Sequence, residues 1–245
     1  MALWAAIVVP FAHRFKPDRW YAHGLSVLVL VFLTTYPAAF AMRAFLFQPF
    51  SMPSSSMVPT LADGDHFFVS KFAYGYSRYS VPFGLLPVDG RIFGAEPRRG
   101  DIMVFRLPSE PDIDYVKRVI GLPGDRIQMV GGVLHIDGVP VKLEDVGDYS
   151  SGEVQSAKLQ RETLPEGISY SVIDLGNSIG DDTREFVVPT AEYFTLGDNR
   201  DNSNDSRFLV GFVPYENLVG KAVRLFWNSK GVDYSSRQIL DPSGK

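Results

Sequence analysis

The sequence predicts a mainly β fold: an antiparallel β-sheet domain that carries a smaller inserted subdomain and is preceded by a transmembrane helix. Three observations predict it. An uncharged apolar run of helical length stands near the N-terminus. Short apolar runs bounded by glycine and proline follow it at the spacing of an all-β domain. Within that β pattern one long stretch is polar and weakly patterned.

The helix is read over Gly24–Met42, which carries no charge, and at 1.5 Å per residue it reaches about 28 Å, close to a bilayer core. Pro37 sits in its second half, where lipid tolerates proline if neighbours satisfy the freed carbonyl. The segment before it holds Arg14, Lys16 and Arg19 against Asp18, a positive bias that puts 1–23 on the cytoplasmic side and everything after Arg43 outside. Met1–Ala12 is apolar but short, and reads either as a thin first span or as an interfacial helix. Arg14–Arg19, the apolar run and Ala39-Phe40-Ala41 also fit a signal peptide with a small-x-small cleavage site. The run exceeds the ~7 to 15 residues of a signal-peptide core, which favours an uncleaved anchor, and the intact mass of membrane-bound protein separates the two.

The domain plan is an anchor at 24–45, a β domain in two parts at 46–142 and 191–245, and a satellite subdomain at 143–190. Strands are expected at 66–69, 102–105, 115–120, 126–129, 133–136, 193–196 and 222–226. Gly131-Gly132 reads as a tight hairpin and Asp137-Gly138 as a second turn, since glycine takes positive φ freely. The segment 74–99 reads as an insertion. Its apolar 81–86 suits either a dip into lipid or a loop folded on the core. The tail after Trp227 is polar and expected to be peripheral.

Composition excludes several functions. A hydrophobic share of 45% with 21% charge allows a sizeable core. The net charge of −4 is thinly spread and holds no run of five basic residues, so nucleic acid is a poor partner. With no cysteine, disulfides, thiolate zinc sites and a cysteine nucleophile are excluded together. Beyond the helix only His66 and His135 remain, both at turn or hairpin positions, so a Ser-His-Asp triad and a histidine metal site are poorly supported.

Lysine replaces histidine as a base when burial disfavours its charged form. In Asp114–Gly121 the period-two alternation puts Tyr115, Lys117 and Val119 on one face and Val116, Arg118 and Ile120 on the other, so one cation is buried whichever way the strand sits. An edge lysine that snorkels fits the same segment. Ser54, Ser55 and Ser56 lie between Pro53 and Pro59, which fix φ on either side. This is linker chemistry or a stiffened nucleophile segment, and residue chemistry alone does not choose among the three serines. Phe50, Met52, Met57 and Leu61 beside them suit a pocket for small apolar side chains. Gly197–Arg207 is dense in short carboxylates, which suits a hydrophilic turn or a buried network pinning strands.

Taken together, Phe47–Leu61, Arg99–Phe105, Tyr115–Asp125 and Gly197–Arg207 resemble, in order and spacing, the bacterial type I signal peptidase (leader peptidase) family of serine/lysine dyad proteases. The resemblance implies Ser56 as nucleophile and Lys117 as its base. It implies an oxyanion hole from the Ser56 N–H and the Ser54 hydroxyl, and Ser203 as the group that orients the lysine. Asp198, Arg118, Asp205 and Arg207 fall at structural positions. Phe50, Met52, Pro53, Met57, Tyr115 and Val116 fall where the family builds its substrate pockets. The implied activity is removal of signal peptides from exported preproteins at small-x-small sites, by a monomeric enzyme of the bacterial cytoplasmic membrane. Its domain would face the periplasm, and it would need no metal or cofactor. The site stays near the bilayer, because the ten residues from Leu46 to Ser56 span at most about 35 Å. Ser55 departs from the family, which often has glycine there. Two rivals remain: a narrow-duty maturation peptidase with the same dyad, and a catalytically silent anchored module that binds exported chains.

Overall fold

The computed structural model describes residues 24–80, 90–152, 154–233 and 237. The readings made for 1–23 and for the apolar loop at 81–86 lie outside these residues. The chain divides into two compact units, 1–43 and 44–245.

The first unit holds helix α1, Gly24–Ala41, none of whose residues is buried. With the π turn Met42–Leu46 it makes 23 residues of mean hydropathy 2.0, long and apolar enough to cross a membrane. Pro37 stays inside the helix. Three residues before it the Thr34 hydroxyl bonds back to the Leu30 carbonyl at 2.8 Å, so that hydroxyl is satisfied within the helix.

The second unit is built on strands β1 (Phe47–Ser51), β2 (Asp65–Ser70), β3 (Ile102–Arg106), β4 (Asp114–Gly121), β5 (Arg126–Val130), β6 (Val133–Ile136) and β7 (Val139–Pro140), then β8 (Lys142–Ser151), β9 (Val154–Thr163), β10 (Ser169–Asp174), β11 (Phe186–Val187), β12 (Glu192–Leu196), β13 (Val213–Pro214) and β14 (Leu218–Asn228). They form three sheets, ordered β1-β2-β14-β3-β4-β12-β13, β11-β5-β6-β7 and β10-β9-β8. Both expected turns are present. Gly131 and Gly132 have φ of 54° and 78° between paired Val130 and Val133, and Asp137 and Gly138 repeat the geometry at 53° and 77°.

One apolar cluster unites Met52, Met57, Leu61, Phe67 and Val116. A second packs Met103, Phe105, Val119 and Tyr193 on the other side of β3 and β4. A third joins β5 and β6 to β12 and β10 through Ile127, Leu134, Phe194 and Val172. Within 143–190, strands β8 to β10 form a sheet of their own. Its β8 is exposed along most of its length and offered no apolar alternation to read.

In the tail after Trp227, expected to be peripheral, the first residues are tied in. Asn228 is buried and donates to Asp65 Oδ1 at 2.7 Å, and the Ser229 N–H bonds to the Gly64 carbonyl at 2.8 Å. Asp65 is a fully buried carboxylate that also accepts the Ala62 N–H at 2.6 Å, and a buried charge of this kind needs several donors.

Candidate active site

Residues 52–64 connect β1 to β2 as a compact loop whose two ends are stitched together. The Met52 N–H reaches the Asp65 carbonyl and the Gly64 N–H reaches the Met52 carbonyl, each at 2.8 Å. Within it, Leu61 N–H bonds to the Met57 carbonyl at 2.8 Å. Met52 and Met57 point into the core, which turns Ser55 and Ser56 inward to 8% exposure each, while Pro53 and Ser54 stay exposed. The serine cluster is therefore packed structure and not a solvated linker.

β4 brings Lys117 to this loop. Lys117 Nζ lies 2.7 Å from Ser56 Oγ and also donates to the Val116 carbonyl at 3.1 Å. It is 3% exposed, and burial pushes its ammonium down from the ordinary 10.5 to about 8, against the opposing influence of Asp205 and Asp198. Alternation called for one buried cation on this strand; both are buried, because both faces of β4 are covered. Arg118 is 2% exposed and makes a two-pronged pair with Asp198, Nε to Oδ1 at 2.7 Å and Nη2 to Oδ2 at 2.6 Å. Burial works against its charge, but Asp198 more than offsets this and raises its pKa.

The loop after β12 closes the arrangement. The Asn199 N–H donates to the Ser56 carbonyl at 3.1 Å and its side-chain amide to the Ser55 carbonyl at 3.1 Å. Asp205 accepts the Gly197 N–H at 3.1 Å and pairs with fully buried Arg207. Gly197 has no room for a side chain, since a Cβ would fall 2.2 Å from Ser203 Oγ and 2.6 Å from the Ser56 carbonyl oxygen.

A model of the signal peptidase, peptidase S26 family matches residues 25–227. The chain belongs to that family. A signal peptidase I of Rickettsia canadensis is 43% identical over 201 residues, covering 78% of this chain and 76% of its own. One from Rickettsia felis is 42% identical over 210 residues, covering 82% and 79%. A crystal structure of a signal peptidase I from Enterococcus faecalis V583 covers 52% of this chain and 97% of its own, at 30% identity and a TM-score of 0.33. As a member of that family with such curated relatives, the chain is a serine endopeptidase of the signal peptidase I type.

Of the expected site residues, the structure brings Ser56 and Lys117 into contact and sets Ser54 Oγ 3.3 Å from Ser56 Oγ. Ser55 Oγ is occupied elsewhere, accepting from the Asn202 amide at 3.0 Å. Ser203 is buried beside Gly197, but its Oγ makes no hydrogen bond among the described residues, so the expected bond to Lys117 is not formed. Met52, Met57 and Val116 gather in one apolar cluster, with Phe50 packed against it. Tyr115 packs on the opposite side with Phe105, its ring 5.4 Å from Lys117 Nζ.

Sequence reasoning did not single out Thr60, Asn199, Asn202 or Glu162. Thr60 bridges the 52–64 loop to the Arg118–Asp198 pair, donating to Asp198 Oδ2 at 2.5 Å. The asparagines lie inside the polar segment that was noticed, although nothing there separated them from ordinary turn residues. Glu162 lies in the stretch that showed no pattern.

Proposed function

We propose that this signal peptidase cleaves signal peptides from exported preproteins with Ser56 as nucleophile and Lys117 as general base, cutting after small-x-small sequences. The observation that carries the reading is a buried lysine in 2.7 Å contact with a buried serine hydroxyl. With a pKa of about 8, on the order of one lysine in ten is already neutral near pH 7, against fewer than one in a thousand for a free side chain.

Neutral Nζ takes the Ser56 proton as Oγ attacks the scissile carbonyl carbon. The developing oxyanion is met by the Ser56 N–H, which has no backbone acceptor among the described residues, and by the Ser54 hydroxyl. Collapse breaks the C–N bond, and the lysine ammonium returns its proton to the departing amine of the mature protein. Water, deprotonated by the same lysine, then hydrolyses the acyl-enzyme and frees the signal peptide with a new carboxylate.

The substrate lies extended along residues 114–117 of β4. That stretch pairs with β3 on one side, whereas β12 takes up pairing only from Arg118 onward, which leaves an edge for a peptide to extend the sheet. Phe50, Met52, Met57 and Val116 supply the apolar floor for small side chains, with Pro53 and Tyr115 at its margins. The enzyme works as a monomer anchored in the bacterial cytoplasmic membrane, with its β domain on the periplasmic side.

The test is processing of a preprotein with a small-x-small site by Ser56→Ala and Lys117→Ala. Both are expected to lose detectable cleavage while keeping a cooperative melting transition. Full activity in either folded variant overturns the dyad.

A further inference from the structure

The satellite sheet sends one carboxylate into the catalytic framework. Glu162 on β9 is 1% exposed and is held from two sides. Arg200 donates to it through Nη1 at 2.8 Å and Nη2 at 2.6 Å, and the Tyr170 hydroxyl donates to Oε1. Arg200 belongs to the loop after β12, and its Nε also reaches the Gly197 carbonyl at 3.2 Å. The adjoining β10 grips the same loop by backbone: the Ile173 N–H bonds to the Asp198 carbonyl at 3.0 Å, and the Arg200 N–H to the Ile173 carbonyl at 3.3 Å. That loop presents Asn199 to the Ser56 carbonyl, Asn202 to Ser55 Oγ and Asp198 to Arg118.

We propose that Glu162 is a positioning residue for peptide-bond cleavage, holding Arg200 so that the Asp198–Asn199 backbone sets the place of Ser56 against Lys117. The inference rests on the dyad reading above. Its physical core is the competition for carboxylates among buried arginines. Arg118 and Arg200 are both buried and both feel Asp198, and each must have an anion because an unpaired buried charge is costly. Glu162 satisfies Arg200, which leaves Asp198 wholly to Arg118 and Thr60. The Tyr170 ring, 4.0 Å from the Arg118 guanidinium carbon, lies between the two pairs and is bonded to Glu162, so the pairs are packed as one unit. Without the Glu162 charge, Arg200 draws on Asp198, and the next residue along is Asn199, which touches Ser56.

Glu162→Gln removes the charge and keeps the shape. Measured well below its melting temperature on a preprotein substrate, it should lose about 10- to 100-fold in kcat with KM changed less than about threefold, the scale on which an ångström of misplacement acts. The double variant Glu162→Leu/Arg200→Met removes both charges. Buried ion pairs replaced by apolar groups of similar volume often keep or regain stability. Its melting temperature should therefore return towards wild type and kcat should recover with it, because no Arg200 charge is left to draw on Asp198. A double variant that regains its melting temperature while its kcat stays as low as that of Glu162→Gln overturns the proposal. So does a Glu162→Gln enzyme whose kcat lies within twofold of wild type. If the single variant does not fold, the double variant decides alone. Ser56→Ala run in parallel keeps the two readings apart: full activity there sinks the dyad whatever the Glu162 variants do.

Discussion

Ser56 and Lys117 lie 61 positions apart in the chain, and what makes them a pair is burial that neither segment announces by itself. The lysine must be neutral to accept a proton, and burial lowers its pKa to about 8. The rate should therefore rise with pH on an ascending limb near 8, since deprotonation of Lys117 creates the active form; a limb near 10 means an exposed lysine. The neighbouring serines divide in the same way. Ser54→Ala should slow turnover by about two to three orders of magnitude, as loss of one oxyanion donor does. Ser55→Ala gives up only the bond from Asn202, worth on the order of 1 kcal/mol, and should slow turnover less than tenfold. Equal losses in the two variants, in a single-turnover assay, would refute this division of labour. The residue types needed for the chemistry were legible in the sequence. Which serine faces the lysine was not legible from residue chemistry, because three identical side chains in a row differ only in where the loop points them; the family resemblance pointed to Ser56, the serine found against Lys117.

At the scale of elements, legibility followed burial. Strands buried on at least one face, such as β3, β4 and β6, carry apolar runs or alternation and lie within one residue of their expected bounds. β8 and β9 carry little such pattern, since a ladder with polar groups on both faces leaves no period for a reader to detect. β1 was hidden by Pro49, which a strand tolerates at the edge of a sheet, and β1 is the edge strand here. The turn between β12 and the loop after it depends on Gly197. In Gly197→Ala the new methyl meets the Ser56 carbonyl, which is backbone and yields little. That variant should lose about 1 to 3 kcal/mol of stability, as overpacking does, and at least about tenfold in kcat because the displaced atom belongs to Ser56, the proposed nucleophile. Thermal melting and steady-state kinetics read the two losses separately, and wild-type kcat would mean that the site tolerates movement of Ser56.

Over the whole molecule, 1–43 and 44–245 are separate compact units, and the division follows solvent preference. α1 shows apolar side chains on every side and buries none, which water penalises and hydrocarbon rewards, whereas 44–245 has its own cores and its own site. If α1 only anchors, its insertion can be spoiled without touching catalysis. Val27–Leu33 contribute roughly −0.5 kcal/mol each to insertion, about −3.5 in all, and an arginine at mid-helix costs about +3. Leu30→Arg with Phe32→Arg thus turns a favourable segment unfavourable by several kcal/mol. The double variant should be released from membranes by alkaline carbonate extraction, yet cleave a short soluble peptide at nearly the wild-type rate. Loss of the membrane-bound preprotein reaction alone would then measure what anchoring adds through local concentration. Loss of the soluble-peptide reaction as well would show that α1 reaches into the catalytic unit, and the division of roles between the two units would have to be abandoned.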